Sequence, residues 1–541
     1  MGMNNLCKNK ENHNLKDISN ISYKETKDPK DMERTYITTL QTKSIAVIVP
    51  IYNVAPYLKQ CIESILSQSH INFKLFLCDD ESSDESLQIA LEYAQKDTRI
   101  FVFSQKNAGQ GSARNIGILT AGGRLNFQNK EELKQNLEAK TFGNLKDEMK
   151  TFKGFKSYFC YTGKKLIQAF ICQKAIKDFE SLLNPDTQIQ DTPNFDYLCF
   201  IDSDDFIKPN TFKNYLYYIQ GVDFLYSGFE YFFDGVEKDE NLRTHFQNYR
   251  ITKEGVISDK DFIFINIYTG IRSFCFVCQG MINHSLVYKN KLLYPSDIYA
   301  EDLLFGVLLV GISSRIYVLQ KAFYVYRIRT SSSCAYQSQY KAPPRFNNIL
   351  ESFNGDCNLL KEYLRVQSSI VTAQKILAWA NNYKDREKAN SIKRVFVPTY
   401  CKRAKLILNF SIDPLNLKKQ FYALKPYLNA TEKTGAIKRV KNQLSYKIGL
   451  KLMDYANNHI GIKTLILKIA LIATIHKIKL GFSKLYFIAN PKRKPLALED
   501  YKDFKEAFEL KNQEVYQLGC KFLQMRFTLR GFKHFLLELR R

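Results

Sequence analysis

An α/β fold, with a mostly parallel sheet and helices on both of its faces, is predicted by three observations. Short apolar runs alternate with amphipathic helical patterns over residues 44–123. Each of these runs ends in a polar loop that contains Asp, Asn or Gly. A further apolar run at 197–201 ends in the cluster Asp202-Ser203-Asp204-Asp205. Strands that alternate with helices at this spacing form parallel sheets, and ligands bind beyond the carboxyl ends of such strands.

The first strand and helix of the predicted domain begin at Ser44. Residues 45–49 form a continuous apolar, largely β-branched run that ends at Pro50, as expected for a strand buried on both faces. Pro56 suits the first turn of the following helix. The apolar positions of that helix recur at i, i+3, i+4, i+7 and i+8, namely Leu58, Cys61, Ile62, Ile65 and Leu66.

The same pattern repeats twice. Residues 73–78 predict a second strand, and the polar loop 79–84 follows it, with Asp84 placed to cap the next helix. The apolar face of that helix consists of Leu87, Ala90, Leu91 and Ala94. A third strand at 100–103 precedes the glycine-containing loop 107–115. Because all these loops follow strand ends, we expect them to converge on one crevice.

Three regions fall outside this pattern. Residues 1–43 are polar and offer little apolar periodicity, so a disordered tail is predicted. Residues 124–195 are rich in Lys and Glu, and they predict a helical insert that joins the sheet on the side away from the crevice. We expect that insert to bind a partner or to stabilise the domain, and not to take part in the chemistry. Residues 341–541 predict a mainly helical region, so the α/β domain is expected to span 44–340.

The positive charge of the chain is concentrated near its C-terminal end. The net charge of the whole chain is +25, and residues 401–541 contain 29 Lys and Arg against 10 Asp and Glu, a net charge of +19. Such a segment could bind nucleic acid or an anionic membrane surface, or it could have no particular partner. Because the aromatic and basic signatures of RNA-binding modules are missing, we expect no nucleic-acid partner and favour a membrane surface.

Residues 462–488 are the most apolar stretch of this basic segment. Five lysines interrupt it, so it does not read as a membrane span of about 18 or more apolar residues. A helix that lies on a membrane surface and an amphipathic core helix with extended lysines are both compatible with the pattern. The sequence does not choose between these two readings.

The cysteines and the N-terminal residues indicate the compartment. The 12 cysteines are scattered, and the N-terminal residues contain no apolar run typical of a secretion signal. We therefore expect free thiols and a cytoplasmic protein, with a peripheral position on the inner face of the cytoplasmic membrane as a further prediction. Cys275 and Cys278 have C-x-x-C spacing but no second pair or histidine at zinc-site distance. No P-loop, Gly-x-Ser-x-Gly or metalloprotease motif supports an NTPase or hydrolase.

Five motifs occur in a characteristic order. They are Val49-Pro50-Ile51-Tyr52-Asn53, Asp79-Asp80-x-Ser82-Ser83-Asp84, Asn107-Ala108-Gly109 with Ala113-Arg114-Asn115, Asp202-Ser203-Asp204-Asp205, and Glu301-Asp302. Together they resemble the family 2 glycosyltransferases of the GT-A fold, of the bacterial surface-polysaccharide type. The resemblance implies a metal-dependent, inverting transfer of a sugar from a nucleoside-diphosphate sugar, with a UDP-sugar favoured. The acceptor it implies is a hydroxyl of a growing glycan, free or lipid-linked, such as capsule, lipopolysaccharide or lipooligosaccharide.

The first two motifs are expected to bind the nucleoside of the donor. Tyr52 offers a flat ring to a nucleobase, and an aspartate at the end of the next strand can accept the imide N–H that uracil has and cytosine lacks. The resemblance implies that Asp80 makes this contact and that Pro50 and Asn53 lie beside the donor. For Asp79, a turn cap and a ligand remain equal alternatives.

The diphosphate is expected to lie between two arginines and a metal ion. Two aspartates one residue apart at a strand end can hold a hard divalent cation. The resemblance implies that Asp204 ligates Mg²⁺ or Mn²⁺ directly, and that Asp202 lies nearer the ribose or a metal-bound water. Arg114 follows a glycine-containing loop and can face a diphosphate, with a salt bridge as the structural alternative. Residues 324–329 and the serines 331–333 resemble the loop that folds over the donor, so Arg327 is expected to touch the diphosphate.

Asp302 is expected to be the catalytic residue. In the enzymes that the chain resembles, the aspartate of this Glu-Asp pair removes the proton of the acceptor hydroxyl. Two acids at the start of a helix also stabilise its dipole, which is the structural alternative. Glu301, Gln279 and Gly280 are expected to line the acceptor site. A non-catalytic nucleic-acid- or lipid-binding protein on a degenerate GT-A core is the alternative function, and the oligomeric state is not indicated.

Overall fold

The structure is a computed structural model that describes residues 40–122, 126–128, 155–162, 165–172, 194–296, 298–329, 342–431, 435–489, 498, 501, 503–525 and 529–539. The described residues divide into two compact units. The first contains residues 40–266 and 270–428, and the second contains residues 267–269 and the described residues from Asn429 onward. The predicted tail, residues 1–43, lies outside the described residues except for 40–43. Within that short piece Leu40 is buried, and Lys43 forms an ion pair with Asp196.

The three predicted strand–helix pairs are confirmed. They are β1 (Ile45–Ile51), α1 (Ala55–Leu66), β2 (Phe73–Asp79), α2 (Ser86–Lys96), β3 (Ile100–Ser104) and α3 (Gln110–Ala121). The three strands are parallel, with Ile45 opposite Phe73 and Leu75 opposite Ile100. Every residue of β1 is buried, as the uninterrupted apolar run predicts. The loops after these strands therefore lie along one edge of the sheet.

The prediction of a helical insert is wrong for the described part of 124–195. Three strands are present there: β4 (Asn126–Gln128), β5 (Phe155–Thr162) and β6 (Lys165–Cys172). β5 pairs with β3, β6 with β5, and β4 with β6, all antiparallel, so the insert extends the sheet beyond β3. Most of the Lys and Glu residues that suggested helices lie outside these strands. The strand segments themselves are rich in aromatic and β-branched residues, which favour strands.

The remaining strands and helices of the sheet region follow in chain order. They are β7 (Tyr197–Phe200), β8 (Phe206–Ile207), α4 (Thr211–Tyr218), β9 (Phe224–Phe233), α5 (His245–Tyr249), β10 (Gly255–Ser258), α6 (Asp259–Thr269), β11 (Gly280–Asn283), α7 (His284–Lys289), α8 (Glu301–Ile312) and β12 (Arg315–Ile328). The strand order is β10-β12-β9-β11-β7-β1-β2-β3-β5-β6-β4, and β8 pairs with β12. Residues 324–328 were predicted as a loop over the donor, but they belong to the long strand β12.

The hydrophobic core confirms the predicted helix faces. Leu58, Cys61 and Ile62 of α1 are fully buried, and Ala90 and Ala94 of α2 are as well. On the other face of the sheet, α3 lies so close to β1 that a Cβ atom on Gly117 would be only 2.6 Å from Ile48 Cγ2. The helices therefore cover both faces of the central parallel strands.

The helices after β12 belong to the same compact unit as the sheet, so the predicted boundary near residue 340 does not coincide with the division at Leu428. These helices are α9 (Asn347–Ser352), α10 (Cys357–Asn382), α11 (Arg386–Ala404) and α12 (Leu417–Leu424), with short 3₁₀ turns at Pro344–Phe346, Lys405–Asn409 and Lys425–Thr431. The Ser368 hydroxyl of α10 accepts the backbone N–H of Tyr299 and of Ala300, just before α8. α10 thus supports the residues that lead into the Glu301-Asp302 motif.

The second unit is helical, as predicted. Its helices are α13 (Ala436–Lys441), α14 (Leu444–Ala456), α15 (Ile462–Ala489), α16 (Phe504–Asn512), α17 (Glu514–Gln524) and α18 (Leu529–Glu538). α14 and α17 approach through glycines: a Cβ atom on Gly449 would lie 1.7 Å from the Val515 carbonyl oxygen, and one on Gly519 would lie 1.8 Å from that of Ser445. Among the helices that the structure describes, none is long and apolar enough to cross a membrane.

Candidate active site

The loops that follow β1 and β2 are joined by hydrogen bonds. The backbone N–H of Asn53 donates to Ser82 Oγ, and the N–H of Ser83 donates to Asn53 Oδ1 at 2.7 Å. Asp84 accepts the N–H groups of Ala55 and Ser86, so one carboxylate fixes the first turns of both α1 and α2. The N-cap residue of α2 is Glu85, so Asp84 lies one residue before the predicted cap position, although its carboxylate binds the first N–H of that helix. The Asn53 side chain holds the neighbouring loop in place.

Asp80 organises the loop after β3. Its buried carboxylate accepts hydrogen bonds from the side chains of Gln105 and Asn107 and from the backbone N–H groups of Ala108 and Gly109, at 2.6–3.0 Å. Burial raises the pKa of Asp80 to about 6, although the hydrogen bonds that it accepts lower the pKa in part. The residue predicted to bind the nucleobase is thus also the residue that shapes the Asn107-Ala108-Gly109 motif.

Asp79, the neighbour of Asp80, acts as a turn cap. Its carboxylate accepts the N–H of Ser82 at 3.3 Å and the hydroxyl of Ser104 at 3.2 Å. Asp79 is 1% exposed, so it has little access to a ligand. The two adjacent aspartates therefore fix two different loops, Asp79 its own and Asp80 the next.

Arg345 lies at the same end of the crevice and was not predicted. Its Nη1 donates to Asn107 Oδ1 at 2.7 Å and lies 4.0 Å from Asp80 Oδ2. Burial and Asp80 raise the pKa of Tyr52, whereas Arg345 lowers it, so the ring, the carboxylate and the guanidinium are neighbours. Arg345 is separated from Asn107 by 238 positions, and no motif in the sequence marks it. This part of the crevice offers an aromatic face, a carboxylate and an arginine.

Arg114 is buried and forms two ion pairs. Its Nη2 donates to Asp202 Oδ1 at 2.7 Å and its Nη1 to Glu301 Oε1 at 2.6 Å, while its side chain is 1% exposed. Burial alone would lower its pKa, but the two carboxylates raise it above the usual value. The salt-bridge alternative is therefore the one observed, and the guanidinium does not face an open diphosphate site. Arg114 connects the acidic cluster after β7 to the start of α8.

Asp205 fixes the acidic cluster and was not among the predicted site residues. It accepts hydrogen bonds from the Tyr324 hydroxyl and from the backbone N–H of Arg327, both on β12. The Tyr324 hydroxyl in turn accepts the N–H of Asp202. Burial, together with Asp204 and Asp202, raises the pKa of Asp205 well above its usual value. β12 therefore sets the backbone path of the whole Asp202–Asp205 loop.

Arg327 also supports this loop. Its Nε donates to the carbonyl oxygen of Asp204 at 2.6 Å, and its two terminal nitrogens bind Asp234 and Gln60. The residue is only 4% exposed. These contacts hold the Asp204 backbone, and the contact of Arg327 with the donor stays a prediction.

Arg329 is the arginine that reaches the carboxylate of Asp204. Its Nη2 donates to Asp204 Oδ2 at 2.9 Å, and its guanidinium lies 4.6 Å above the ring of Tyr57. Burial raises the pKa of Asp204, Arg329 lowers it, and Asp202 raises it. The serines 331–333, predicted in the donor loop, lie outside the described residues. Arg329 directly follows the end of β12, and no local signal in the sequence distinguishes it from Arg327.

The aspartates can contribute to a metal site but do not form a complete one by themselves. Arg114 binds Oδ1 of Asp202 and Arg329 binds Oδ2 of Asp204, which leaves the other oxygen of each carboxylate for a cation. In the described part of the chain, no group of three or more His, Cys, Asp or Glu side chains is arranged to hold a metal. Mg²⁺ is commonly held by one or two carboxylates together with phosphates and water, so two aspartates fit such an ion only with a bound diphosphate.

Asp302 lies in the first turn of α8, as predicted. Burial and the adjacent Glu301 raise its pKa to about 7, and Arg114 opposes that effect. The residue as a whole is of intermediate exposure. Glu301 is 7% exposed and bound to Arg114, which makes it a positioning group and not an open acceptor contact.

Gln279 and Gly280 are placed inside the sheet. The carbonyl oxygen of Gln279 accepts the N–H of Ser227 at 2.9 Å, and the residue is 7% exposed. Gly280 starts β11 with φ +138°, and a Cβ atom there would lie 1.9 Å from the Leu225 carbonyl oxygen. Gly280 is therefore closely packed against β9, and the acceptor role of Gln279 and Gly280 stays a prediction.

Comparison with known families identifies the segment that contains the first three motifs. A profile described as glycosyl transferase family 2 matches residues 46–125, which run from β1 through α3. Residues 46–125 are thus similar to the family 2 glycosyltransferases. The predicted fold class, an α/β sheet followed by a helical C-terminal region, is confirmed by the strands and helices that the structure describes. A second profile, a domain of unknown function (DUF8374), matches residues 379–539.

Relatives share this family 2 segment. The uncharacterized glycosyltransferase EpsJ of Bacillus subtilis is 44% identical over 79 residues, which are 15% of this chain and 23% of EpsJ. Glycosyltransferase GlyA of Streptococcus pneumoniae is 42% identical over 79 residues, 15% of this chain and 11% of GlyA. The chain thus spans less than a quarter of the length of either relative. The crystal structure of S. aureus TarS residues 1–349 in complex with UDP-GlcNAc is 18% identical, with a TM-score of 0.40, and covers 71% of this chain and 79% of that one.

Proposed function

We propose that the chain is a metal-dependent, inverting glycosyltransferase that takes a sugar from a nucleoside diphosphate, with a UDP-sugar as the favoured donor. The proposal depends mainly on the two ion pairs that Arg114 forms, one with Asp202 at 2.7 Å and one with Glu301 at 2.6 Å. This arginine ties the aspartates expected at the diphosphate to the turn that contains Asp302. The groups expected to bind the donor and the expected base Asp302 are therefore linked through Arg114.

The nucleobase is expected at Tyr52, Asp80 and Arg345. Tyr52 supplies a ring for stacking. Asp80 can accept a base N–H once one of its loop contacts yields, and the adjacent Arg345 can donate to a keto oxygen. A keto base with an N–H, such as uracil, satisfies both groups, whereas cytosine presents a bare ring nitrogen at that position. This pattern of one acceptor and one donor is the support for UDP over CMP as the nucleotide.

The diphosphate is expected beside Asp202, Asp204 and Arg329. A Mg²⁺ or Mn²⁺ ion, when bound, would supply Lewis-acid stabilisation of the leaving nucleoside diphosphate. Asp202 and Asp204 would hold that ion, and Arg329, already 2.9 Å from Asp204, is close enough to turn toward the phosphates. Arg114 binds the carboxylate of Asp202 and Arg327 binds the backbone carbonyl of Asp204, so both aspartates are held in place.

The acceptor hydroxyl is expected to react at Asp302. Its carboxylate takes the hydroxyl proton while the oxygen attacks the anomeric carbon, and the bond from that carbon to the diphosphate oxygen breaks with its electrons leaving to the phosphate. A base with a pKa of about 7 is ionised in a large fraction of molecules at neutral pH and still accepts a proton readily. We propose a hydroxyl of a growing surface glycan as the acceptor, at the cytoplasmic side of the membrane.

The first experiment is a thermal stability series with UDP, GDP, CMP and dTDP, each with and without Mn²⁺. A ligand at one hundred times its dissociation constant adds about 2.7 kcal/mol to the stability, which is measurable. We expect a Mn²⁺-dependent shift with UDP that Asp204→Ala abolishes. Asp239→Ala, which removes an exposed carboxylate, is the matched control and should keep the shift. Absence of a shift with every nucleotide would overturn the proposal.

A further inference from the structure

Among the described residues, the long helix α15 of the second unit packs on an apolar cluster along one of its sides. Leu465 is fully buried, and Ile469 and Ile472 are partly buried against the same apolar cluster, which includes residues of α14 and α17. Intervals of four and three residues place these side chains on one face of a helix. Beyond this stripe, every residue from 477 to 483 is exposed. The second half of α15 therefore extends past the core that holds its first half.

A second stripe on α15 is apolar and exposed. Its members are Leu467 (71% exposed), Leu471 (58%), Ile475 (43%), Ile478 (54%), Phe482 (71%) and Tyr486 (44%). Intervals of three and four residues keep them on one face, which is turned away from the packed stripe. At a rise of 1.5 Å per residue, the stripe is about 29 Å long. Contiguous apolar surface of this kind marks an interaction site.

The charged residues of α15 are all of one sign. The 28 residues of the helix include five lysines and contain no Asp or Glu. At 100° per residue, Lys463 and Lys477 border one edge of the exposed stripe, and Lys468 and Lys479 border the other. Lysines in these positions can keep their ammonium groups at the level of lipid phosphates while their stems lie along the apolar stripe.

We propose that α15 docks this protein on an anionic membrane surface, with the exposed stripe at the boundary between headgroups and acyl chains. Helices that combine an apolar face with flanking Lys or Arg bind such interfaces, and their affinity increases with anionic lipid. Charge complementarity favours this occupant over a second copy of the chain. Two copies of α15 would bring lysines against lysines, and no acidic residue of the helix could pair with them.

The segment of the chain that contains α15 is strongly basic. Residues 429–541 contain 23 Lys and Arg against 9 Asp and Glu, so their net charge is +14. Each Lys or Arg close to an anionic membrane contributes about 1 kcal/mol, equivalent to about a fivefold change in affinity. The docking surface is therefore expected to discriminate strongly between anionic and neutral lipid.

The test is flotation of the full chain with vesicles of phosphatidylcholine, with and without phosphatidylglycerol. We expect the protein to float with the anionic vesicles and to remain behind with the neutral ones. Leu467→Ser combined with Phe482→Ser removes two of the most exposed members of the stripe and should reduce binding by roughly tenfold or more. Lys477→Gln combined with Lys479→Gln should reduce it by roughly 30-fold.

The matched control is Ile71→Ser, which replaces an apolar residue that is 73% exposed in the first unit. It should bind anionic vesicles as the wild type does. Because all these side chains are exposed, thermal unfolding should be unchanged in every variant. Equal binding to both kinds of vesicle, no binding by the wild type, or equal loss in Ile71→Ser would overturn the proposal. So would a wild-type dimer in light scattering that the Leu467→Ser, Phe482→Ser variant converts to a monomer, with no vesicle binding by either.

Discussion

Arg329 donates a hydrogen bond to Asp204 Oδ2 at 2.9 Å, so a cationic side chain already occupies the carboxylate proposed to ligate the metal. The two side chains are 14% and 25% exposed. At this low exposure, water screens the attraction between Arg329 and Asp204 only in part. A divalent cation therefore has to compete with Arg329 for the Asp204 carboxylate. The relation between Arg329 and Asp204 therefore links metal binding to the position of an arginine.

Replacement of Arg329 by Ala is expected to increase the affinity for Mn²⁺ in the absence of nucleotide, because Asp204 no longer exchanges an ion pair for the metal. Titration calorimetry or the paramagnetic resonance of free Mn²⁺ would measure the change, which we expect to be about three- to tenfold. Arg329→Lys is the control and should lie closer to the wild type. Weaker Mn²⁺ binding by Arg329→Ala would contradict the expected competition.

Replacement of Asp302 by Asn is expected to abolish transfer while leaving donor binding intact. The amide has nearly the same shape but cannot take a proton, and a positioned base contributes roughly 10²- to 10⁴-fold in rate. Release of the nucleoside diphosphate measures transfer, and the thermal shift with UDP and Mn²⁺ measures binding. Loss of the thermal shift in this variant would assign Asp302 to the donor site instead.

The rate of transfer is expected to depend on pH through Asp302. Its pKa is raised to about 7, and only the ionised form can accept a proton, so the rate should fall as the pH decreases below about 7 and level off above it. Glu301 is one cause of the raised pKa. Glu301→Gln should therefore move the acidic limb of the profile to lower pH, and an unchanged limb would show that another group titrates.

Replacement of Arg114 by Ala is expected to destabilise the first unit by about 3–5 kcal/mol, because it leaves buried carboxylates without their partner. Asp202 and Glu301 are 22% and 10% exposed at their side chains, so neither can be fully solvated. Thermal or urea unfolding would measure the loss. The double variant Arg114→Ala, Glu301→Gln should recover part of it, and equal stability of the single and double variants would count against the ion pairs as the cause.

Replacement of Arg345 by Ala is expected to weaken UDP binding more than Arg345→Lys does. The guanidinium binds Asn107 and lies 4.0 Å from Asp80, so its removal loosens the nucleobase end of the crevice and removes a donor. Nucleotide titrations would show the effect as a higher Kd with little change in the Mn²⁺ dependence. An unchanged Kd for UDP would place Arg345 outside the nucleoside site.

Local periodicity was sufficient to predict the elements from β1 to α3 and the placement of Asp302 at a helix start. Strands buried on both faces are recognisable without a partner, since each residue of such a run is apolar. The prediction of a helical insert was wrong because charged residues dominate the composition of 124–195. The described residues there form strands instead, and β5 pairs with the edge strand β3. Which strand continues a sheet edge is a nonlocal property that composition does not reveal.

The arginines show a similar limit at the site. Arg114 was recognised as important, but its partners lie 88 and 187 positions away, so no local pattern could indicate that it binds carboxylates and not phosphates. Arg327 and Arg329 are two positions apart, so strand alternation alone would place both side chains on the same face. Arg327 lies in β12 and supports the Asp204 backbone, whereas Arg329 follows the end of β12 and reaches the Asp204 carboxylate, a difference that no local pattern indicates.

β12 pairs with β9 in parallel from Ile316 to Ile328, with register shifts between Leu319 and Ala322 and between Ala322 and Tyr324. These two irregularities set which residues face the Asp202–Asp205 loop, because one residue more or fewer would move each following side chain to the opposite face of the sheet. Across related sequences, exposed side chains of β12 should thus vary freely, while insertions and deletions between Leu319 and Tyr324 should be absent. Selection at this place acts on the number of residues and not only on their identity.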